Sequence, residues 1–287
     1  MWKKIQILFI PAVIIFTFQT ANSAVLSTPD CRAYYGTVLS PSPMVYSQYG
    51  GFHKSNYWPN VISISSNLAI MPLAFNHMID AWGVPNGKFH IKHDWSGDNM
   101  ALNDEVSHLL VSYKMVQTFN AGYKLIGYSG RTARILAMIE SAILATAVEY
   151  PVDAYNPTQG LGISDLIFDY TGIGLGYFKI TDERFQRWDL KTSVKSLRHA
   201  NRQVIGENAE DYDNYIYWLT YKRSPAVFGF GYSTSHSLSG GVSKEFYLGV
   251  GTTLPDLLEP ISKKLATILR CSEFYYFNLR WNFITFE

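Results

Sequence analysis

The sequence is poor in cysteine, in net charge and in long apolar runs, and each shortage excludes a class of protein. Its two cysteines and seven histidines show no spacing typical of a zinc site. The formal net charge of +1 provides no electrostatic footprint for nucleic acid, so no nucleic-acid partner is predicted. Downstream of the N-terminus, the longest uncharged apolar run is Ser141–Val148, well short of the ~20 residues of a membrane-spanning helix. We therefore predict a soluble or membrane-surface protein in preference to a transmembrane one.

Motifs of several common catalytic folds are missing as well. The segment Ser233–Ser237 contains His236, but it lacks the Gly-x-Ser-x-Gly pattern of a nucleophile elbow. Glycines alternate in Gly172–Gly176, but this segment follows a predicted helix and not a strand, so it does not indicate a dinucleotide site. No phosphate-loop signature is present.

What the sequence does have is apolar and aromatic material. Hydrophobic residues make up 47% of the chain and charged residues 16%, which is enough for a sizeable core and excludes disorder over most of the length. The 20 tyrosines and 17 phenylalanines suit β structure and membrane-interface positions equally well.

The N-terminus has the three parts of a secretory signal. Lys3 and Lys4 precede an apolar region over Ile5–Phe18, and the small residues of Ala21–Ser23 form a cleavage site before Ala24. The alternative is an uncleaved membrane anchor, but the apolar run is shorter than the ~20 residues that a spanning helix needs. We therefore predict an exported protein of the periplasm or outer membrane of a bacterium, with residues 1–23 as a cleavable signal peptide.

Both cysteines, Cys31 and Cys271, would remain in the mature chain. In an oxidising periplasm they could form a disulfide that ties the N-terminus to the tail, or they could remain two unpaired thiols. Thr28–Asp30 precedes Cys31 and is not the small, apolar context of a lipoprotein signal, so no lipid anchor is predicted.

The pattern of apolar residues predicts an α+β protein, with a bundle of about four helices followed by a small antiparallel β-rich part. An irregular lead-in over residues 24–60 precedes a helical domain over 61–180. The predicted helices cover 61–82, 104–126, 131–150 and 164–180, with Asp104 and Ser164 as N-caps.

The C-terminal third has a different pattern. A charged connector over 181–214 is interpreted as solvated, and its basic half could alternatively face lipid phosphates. Residues 215–287 form a predicted β-rich tail packed on the helical domain, because aromatic and β-branched residues alternate there in four segments. One further helix is predicted over 257–269.

Six polar residues form three pairs, each with a spacing of four. The pairs are Asp104 with His108, Glu149 with Asp153, and Asp165 with Asp169. Residues four apart lie on one face of a helix, and each pair is at an end of a predicted helix. If these ends converge, five carboxylates and one imidazole would share a site.

Such a group has two chemical uses and one structural alternative. All six residues are candidate ligands of a divalent metal, which is the one cofactor that we consider. His108, Glu149 and Asp165 are also candidate catalytic residues, because crowded carboxylates can supply a general acid and a general base. The alternative is that these residues only cap helices and bond across the bundle core.

Short motifs in the same order give the sequence a family resemblance. Asp104–His108 is similar to an Asp-Lys-x-x-His motif, Lys88–Lys92 to the aromatic segment before it, and Asp211–Leu219 to a run ending in Tyr-Trp-Leu. The remaining matches are Glu149, Asp153, Ser164, Asp165, Gly172, the basic segment Arg187–Ser193 and the tail from Phe246 to Phe286. Over residues 80–287 the chain thus resembles the uncharacterised predicted periplasmic (YfiM-like) lipoproteins, domain of unknown function 2279.

The order of acidic residues and histidine also looks like that of the VanZ-like membrane proteins, more distantly. This sequence departs from the first family at Glu105, where that family has lysine, and at Asp169, where it has asparagine. Both changes add negative charge. The resemblance implies an envelope protein and no established reaction.

Two functions are therefore predicted from the sequence, and a membrane-embedded binding protein is a third, less favoured alternative. The first is a structural or binding protein of the cell envelope, with a membrane surface or another envelope component as its partner. The second is a metal- or carboxylate-dependent hydrolase acting on a lipid or a phosphorylated envelope substrate.

Overall fold

A computed structural model describes residues 58–92, 102–196, 213–223, 226–236, 241–270 and 273–286. The predicted signal peptide, most of the lead-in and both cysteines lie outside these residues. Helices come first and are followed by a five-stranded antiparallel sheet, so the predicted α+β class is confirmed.

Four long helices make up the N-terminal part. They are α1 (Trp58–Trp82), α2 (Asn103–Leu125), α3 (Gly130–Ala147) and α4 (Ile163–Thr181). Both predicted caps are wrong. Leu102, with φ 69°, precedes α2, and Gly162 precedes α4, because neither Asp104 nor Ser164 has the extended backbone of a cap. Both residues lie two positions after the observed cap, in the first turn of each helix.

Glycines bring α2 and α4 into close contact. A Cβ atom on Gly172 would lie 2.3 Å from the carbonyl oxygen of Leu109, and one on Gly176 would lie 2.8 Å from that of Tyr113. The helices can therefore touch backbone to backbone along this seam. The bundle core beside it contains Met115, Val116, Ala145, Ile173 and Ile180.

The chain between α3 and α4 is irregular but well bonded. It passes through a π-helical turn (Val148–Val152) and a 3-10 turn (Asp153–Tyr155) to the short strand β2 (Leu161–Gly162). β2 pairs in parallel with β1 (Ile91–Lys92), with Lys92 opposite Gly162. The segment before α2 is thereby held against the start of α4.

The sheet has five strands in chain order, and every neighbouring pair is antiparallel. They are β3 (Trp188–Val194), β4 (Tyr215–Arg223), β5 (Ala226–His236), β6 (Val242–Thr253) and β7 (Tyr276–Phe286). The prediction of a solvated connector is wrong over β3. The charged residues of this strand hide the alternation of polar and apolar residues that would indicate a strand. The predicted helix over 257–269 is also divided into α5 (Leu254–Leu258) and α6 (Lys263–Arg270).

The sheet curls around one buried indole. Cβ atoms on Gly229, Gly231 and Gly249 would each come within 2.9 Å of the Trp218 ring, so these positions have to be glycine. The curl brings the first and last strands together. Arg280 of β7 donates to the carbonyl oxygens of Val194 (2.8 Å) and Lys195 (2.6 Å) at the end of β3.

A group of buried charges joins the helices to the sheet. Asp189 of β3 accepts hydrogen bonds from Tyr113 (2.7 Å) and Lys114 (2.8 Å) of α2, and it forms an ion pair with Lys191 (2.8 Å). Lys191 also pairs with Glu273 at 2.9 Å. We call these five residues the Asp189 network.

By length and composition alone, the segment Gly130–Tyr155 could cross a membrane. Core helices of soluble proteins share this length and composition but are mostly buried, whereas 28% of the apolar window is buried here. Glu140 and the buried Glu149 lie inside the segment, and the helix packs against α2 and α4, so we describe it as the third helix of the bundle.

Candidate metal centre

The first two turns of α2 contribute one side of a polar cluster. Asp104 and His108 lie one turn apart, with Nε2 of His108 at 3.8 Å from Oδ1 of Asp104. Ser112 follows one further turn along the same face. Because Leu102 precedes the helix, Asp104 does not cap it, and its side chain pairs with Lys92 and His108 in the cluster.

Helix α4 contributes the opposite side. Asp169 accepts a hydrogen bond from the Ser112 hydroxyl at 2.5 Å, and its other oxygen lies 3.3 Å from Nδ1 of His108. Asp165 lies one turn earlier and is 5% exposed. The glycine seam makes these contacts possible, because bulkier residues there would hold the two helices apart.

The irregular turn after α3 contributes Glu149 and Asp153. Glu149 is fully buried, and Oε2 of its carboxylate accepts a hydrogen bond from the backbone N–H of Gly162 at 3.0 Å. No hydrogen-bond donor among the described residues reaches Oε1 of Glu149 or Oδ1 of Asp153, although both atoms are buried. Unpaired buried carboxylate oxygens are costly, so each of these groups favours a bound cation or a proton.

A lysine lies at the edge of the cluster. Nζ of Lys92 is 3.6 Å from Asp104 and 4.0 Å from Asp165, and the β1–β2 pairing fixes its place. At these distances one ammonium group offsets only part of the negative charge of five carboxyl groups.

The ligand atoms are close enough to share one cation. Asp104, His108 and Asp165 each offer an atom within 4.8 Å of the other two, and the same holds for His108, Glu149 and Asp169. Asp153 belongs to neither trio, but its charge interacts with those of His108 and Asp165. Oxygen and imidazole ligands suit divalent cations such as Zn²⁺ and Mn²⁺. We call these six residues the acidic centre.

The electrostatics show how little of this charge is compensated. Burial raises the pKa of Glu149 to about 8, and the charges of Asp165 and Asp153 act in the same direction. Burial likewise raises the pKa of Asp153 to about 6. For His108, burial favours the neutral ring, but its hydrogen bond to Asp169 and the nearby carboxylates outweigh this effect and raise its pKa well above 6.5. In the metal-free protein, protons on Glu149, Asp153 and His108 therefore offset part of the negative charge that a bound cation would neutralise.

One side of the acidic centre is partly exposed. The side chains of Lys92, His108 and Asp104 are 29%, 21% and 16% exposed, whereas that of Asp169 is 4% exposed. The deep side, with Glu149 and Asp169, is closed.

All six residues that the sequence singles out thus lie around one point. Three further residues contact the acidic centre and were not among the candidates from the sequence, namely Lys92, Ser112 and Gly162. A Cβ atom on Gly162 would lie 2.1 Å from the Asp165 carboxylate, so this glycine is part of the site. Ser112 could have been found, because it continues the spacing of four from Asp104 and His108.

No protein-family model, curated protein or solved structure matches the chain. The family resemblance described above therefore remains a prediction.

Proposed function

We propose that this protein is a metal-dependent hydrolase of the bacterial cell envelope, acting on a lipid or a phosphorylated substrate. The single observation behind the proposal is the acidic centre, in which ligand atoms from three separate segments lie within 4.8 Å of one another. The buried and unpartnered Oε1 of Glu149 supports it, because a cation would satisfy this atom.

The chemistry follows from the kinds of residue present. A bound divalent cation would polarise a phosphoryl or carbonyl oxygen and make a water molecule more acidic. The ammonium group of Lys92, at the exposed rim, can hold a phosphate oxygen. Asp153 is suited to accept the proton of the attacking water, since it belongs to neither trio of ligand atoms.

A second candidate function is binding without catalysis. It is favoured by the depth of Glu149 and Asp169, which are 0% and 3% exposed. A cation held only by these residues and His108 would brace α2, α4 and the turn after α3 against one another. It would stabilise the fold, and because this side of the centre is closed, no substrate could reach the coordination position that three ligands leave open.

Metal analysis and titration test the cation site. We expect purified chain to contain about one equivalent of a divalent cation, and Glu149→Gln to weaken binding by more than the ~10–100-fold that loss of a second-shell partner costs. Glu140→Gln is the matched control, because Glu140 lies on the same helical segment and instead accepts a hydrogen bond from Tyr123. Equal cation affinity of the two variants would refute the site.

Turnover of model substrates then separates the two candidates. With cation bound, we expect hydrolysis of a nitrophenyl phosphate diester or a nitrophenyl acyl ester, which Asp153→Asn slows without loss of the cation. A loaded protein that hydrolyses neither substrate, but is stabilised by the cation, would favour binding without catalysis.

The envelope location has its own test. The proposal predicts a mature N-terminus at Ala24 in protein isolated from the envelope fraction. Intact Met1 on protein from the cytoplasm would refute export.

A further inference from the structure

One face of the sheet is apolar and uncovered by any described residue. Leu219, Phe230, Leu248 and Trp281 pair in register across four strands and form one continuous row. Phe228 and Leu279 belong to the neighbouring row. All six side chains are exposed, up to 75% for Leu279 and 58% for Trp281. We call these six residues the apolar face.

The opposite face of the same strands is already filled. Trp218, Tyr247 and Tyr276 are buried there, and the glycines of β5 and β6 seat the Trp218 ring. The apolar face is therefore not part of the protein's own core. Contiguous exposed apolar surface of this kind marks contact with another apolar phase or partner.

Charged groups border the apolar face and match a lipid surface. Arg223 follows Tyr221 by two residues at one border, and Lys244 precedes Phe246 by two at the other. Strand alternation directs both side chains to the same side as the apolar face, and both are exposed. Arg187, also exposed, donates to the Tyr221 hydroxyl at 3.4 Å. Apolar side chains flanked by tyrosine and basic residues complement acyl chains flanked by phosphates.

We infer that the apolar face docks on a lipid bilayer, with its side chains among the acyl chains and Arg187, Arg223 and Lys244 at the phosphates. A second copy of the chain is the competing occupant. It is disfavoured because apolar exposure is not confined to the sheet: Ile135, Ile139 and Ile143 form an exposed stripe on α3. A bilayer can accommodate several apolar surfaces, whereas one partner covers one patch. This inference does not depend on the acidic centre.

A local fluorescence probe tests the contact. The full chain, with Cys31→Ser and Cys271→Ser, is labelled through Leu279→Cys with a polarity-sensitive dye and mixed with phosphatidylglycerol–phosphatidylethanolamine vesicles. We expect a blue shift and an intensity gain of at least about twofold, because the label enters the acyl region. The control label is placed through Ile261→Cys, which lies outside the sheet and is 80% exposed. No difference between the two labels would overturn the inference, even if the N-terminal segment holds the chain on the vesicle.

Charge substitutions provide the second arm. Leu279→Glu should weaken vesicle binding at least about tenfold, and Ile261→Glu should change it by less than about twofold. Arg223→Gln should weaken binding to these vesicles but not to phosphatidylcholine vesicles. Circular dichroism and melting curves confirm that each variant is folded. A dimer in light scattering that Leu279→Glu splits, with no response of the label to vesicles, would assign the face to a second copy and reject the bilayer.

Discussion

Two groups of buried charges lie less than two turns apart on α2, and they are built in opposite ways. In the Asp189 network one carboxylate lies between Lys114 and Lys191, and Lys191 has a second partner in Glu273. In the acidic centre, five carboxyl groups share one histidine and one partly exposed lysine. The network is neutralised within the chain, whereas the acidic centre is not.

The pKa values reflect the same difference. Burial opposes ionisation of Asp189, but the charges of Lys114 and Lys191 outweigh it and hold the pKa far below its ordinary value. In the acidic centre, burial and neighbouring carboxylates act together and raise the pKa of Glu149 to about 8. A cluster with its counter-ions stabilises the fold, whereas a cluster without them is, in our proposal, the place of a cation.

The largest expected effect comes from breaking the network. Asp189→Asn leaves Lys114 and Lys191 buried without their shared carboxylate, so we expect a loss of about 3–5 kcal/mol in the free energy of unfolding. Urea denaturation measures it. Asp182→Asn, at the exposed ion pair with Arg184, is the control and should change nothing measurable. A loss below about 1 kcal/mol would remove the contrast between the two groups.

The same kind of substitution in the acidic centre should have the opposite sign. In metal-free protein at neutral pH, Glu149 has to take up a proton on folding, because its pKa is about 8 in the fold. Glu149→Gln removes this cost and keeps an oxygen for the N–H of Gly162. We expect a gain of about 1–3 kcal/mol at neutral pH, measured by denaturation in chelator. Destabilisation as large as that of Asp189→Asn would mean that Glu149 is a structural residue.

Gly172→Ala tests the geometry of the centre without changing its charge. The added methyl would meet the Leu109 backbone and push α2 from α4, at a cost of about 1–3 kcal/mol. Cation affinity should fall with it, because His108 and Asp169 lie on the separated helices. Gly174→Ala is the matched control: no atom lies within 4 Å of its added Cβ, so we expect a gain of up to about 1 kcal/mol and unchanged affinity. Unchanged affinity in both variants would show that helix spacing does not set the site.

The effect that is smallest for each step of the experiment is the change of stability per pH unit. The pKa of Glu149 is about 8 in the fold, against an ordinary value of 4.5, so between these values the folded chain holds more protons than the unfolded chain. Metal-free protein should therefore lose stability as pH rises from about 5 to 7.5, by up to ~1.4 kcal/mol per unit for this group. The raised pKa of His108 changes stability in the same direction. Its contribution to stability is fully present below pH 6.5, the ordinary pKa of histidine, and is lost as the pH rises to the higher pKa of the folded state.

The network should not disturb this measurement. The contribution of Asp189 to stability is lost only when the pH falls below 3.8, the ordinary pKa of this group. Burial lowers the pKa of Lys114 to about 8, so this lysine makes stability depend on pH only above pH 8. Glu149→Gln should flatten the slope, as should saturating cation. A slope unchanged by either would contradict the assignment to the acidic centre.

Much of the centre could be predicted because it depends on local spacing. Asp104 with His108 and Asp165 with Asp169 are neighbours on their helices wherever those helices go. That the two helices meet could only be suspected from Gly172 and Gly176, because glycine lowers helix propensity as readily as it allows contact. The placement of Lys92 depends on a two-residue parallel pairing that has no sequence signature.

The fold was predictable to a similar extent. Alternating aromatic residues indicated β4 to β7, because apolar side chains predominate on one face of these strands. β3 was missed because its inward charges, Asp189 and Lys191, are satisfied by each other, by residues of α2 and by the segment before β7. A strand whose polar side chains are buried resembles a solvated connector until its partners are known.

The contact of Arg280 with the end of β3 also imposes an order of events. β7 is the last strand of the sheet in chain order, and its Arg280 donates hydrogen bonds to the carbonyl oxygens of Val194 and Lys195. While the chain is being made, the helices and β3 therefore exist before the residue that secures the end of β3. A truncation before Arg280 would keep the bond from the N–H of Thr192 to Phe274, but it would leave the end of β3 without these two bonds.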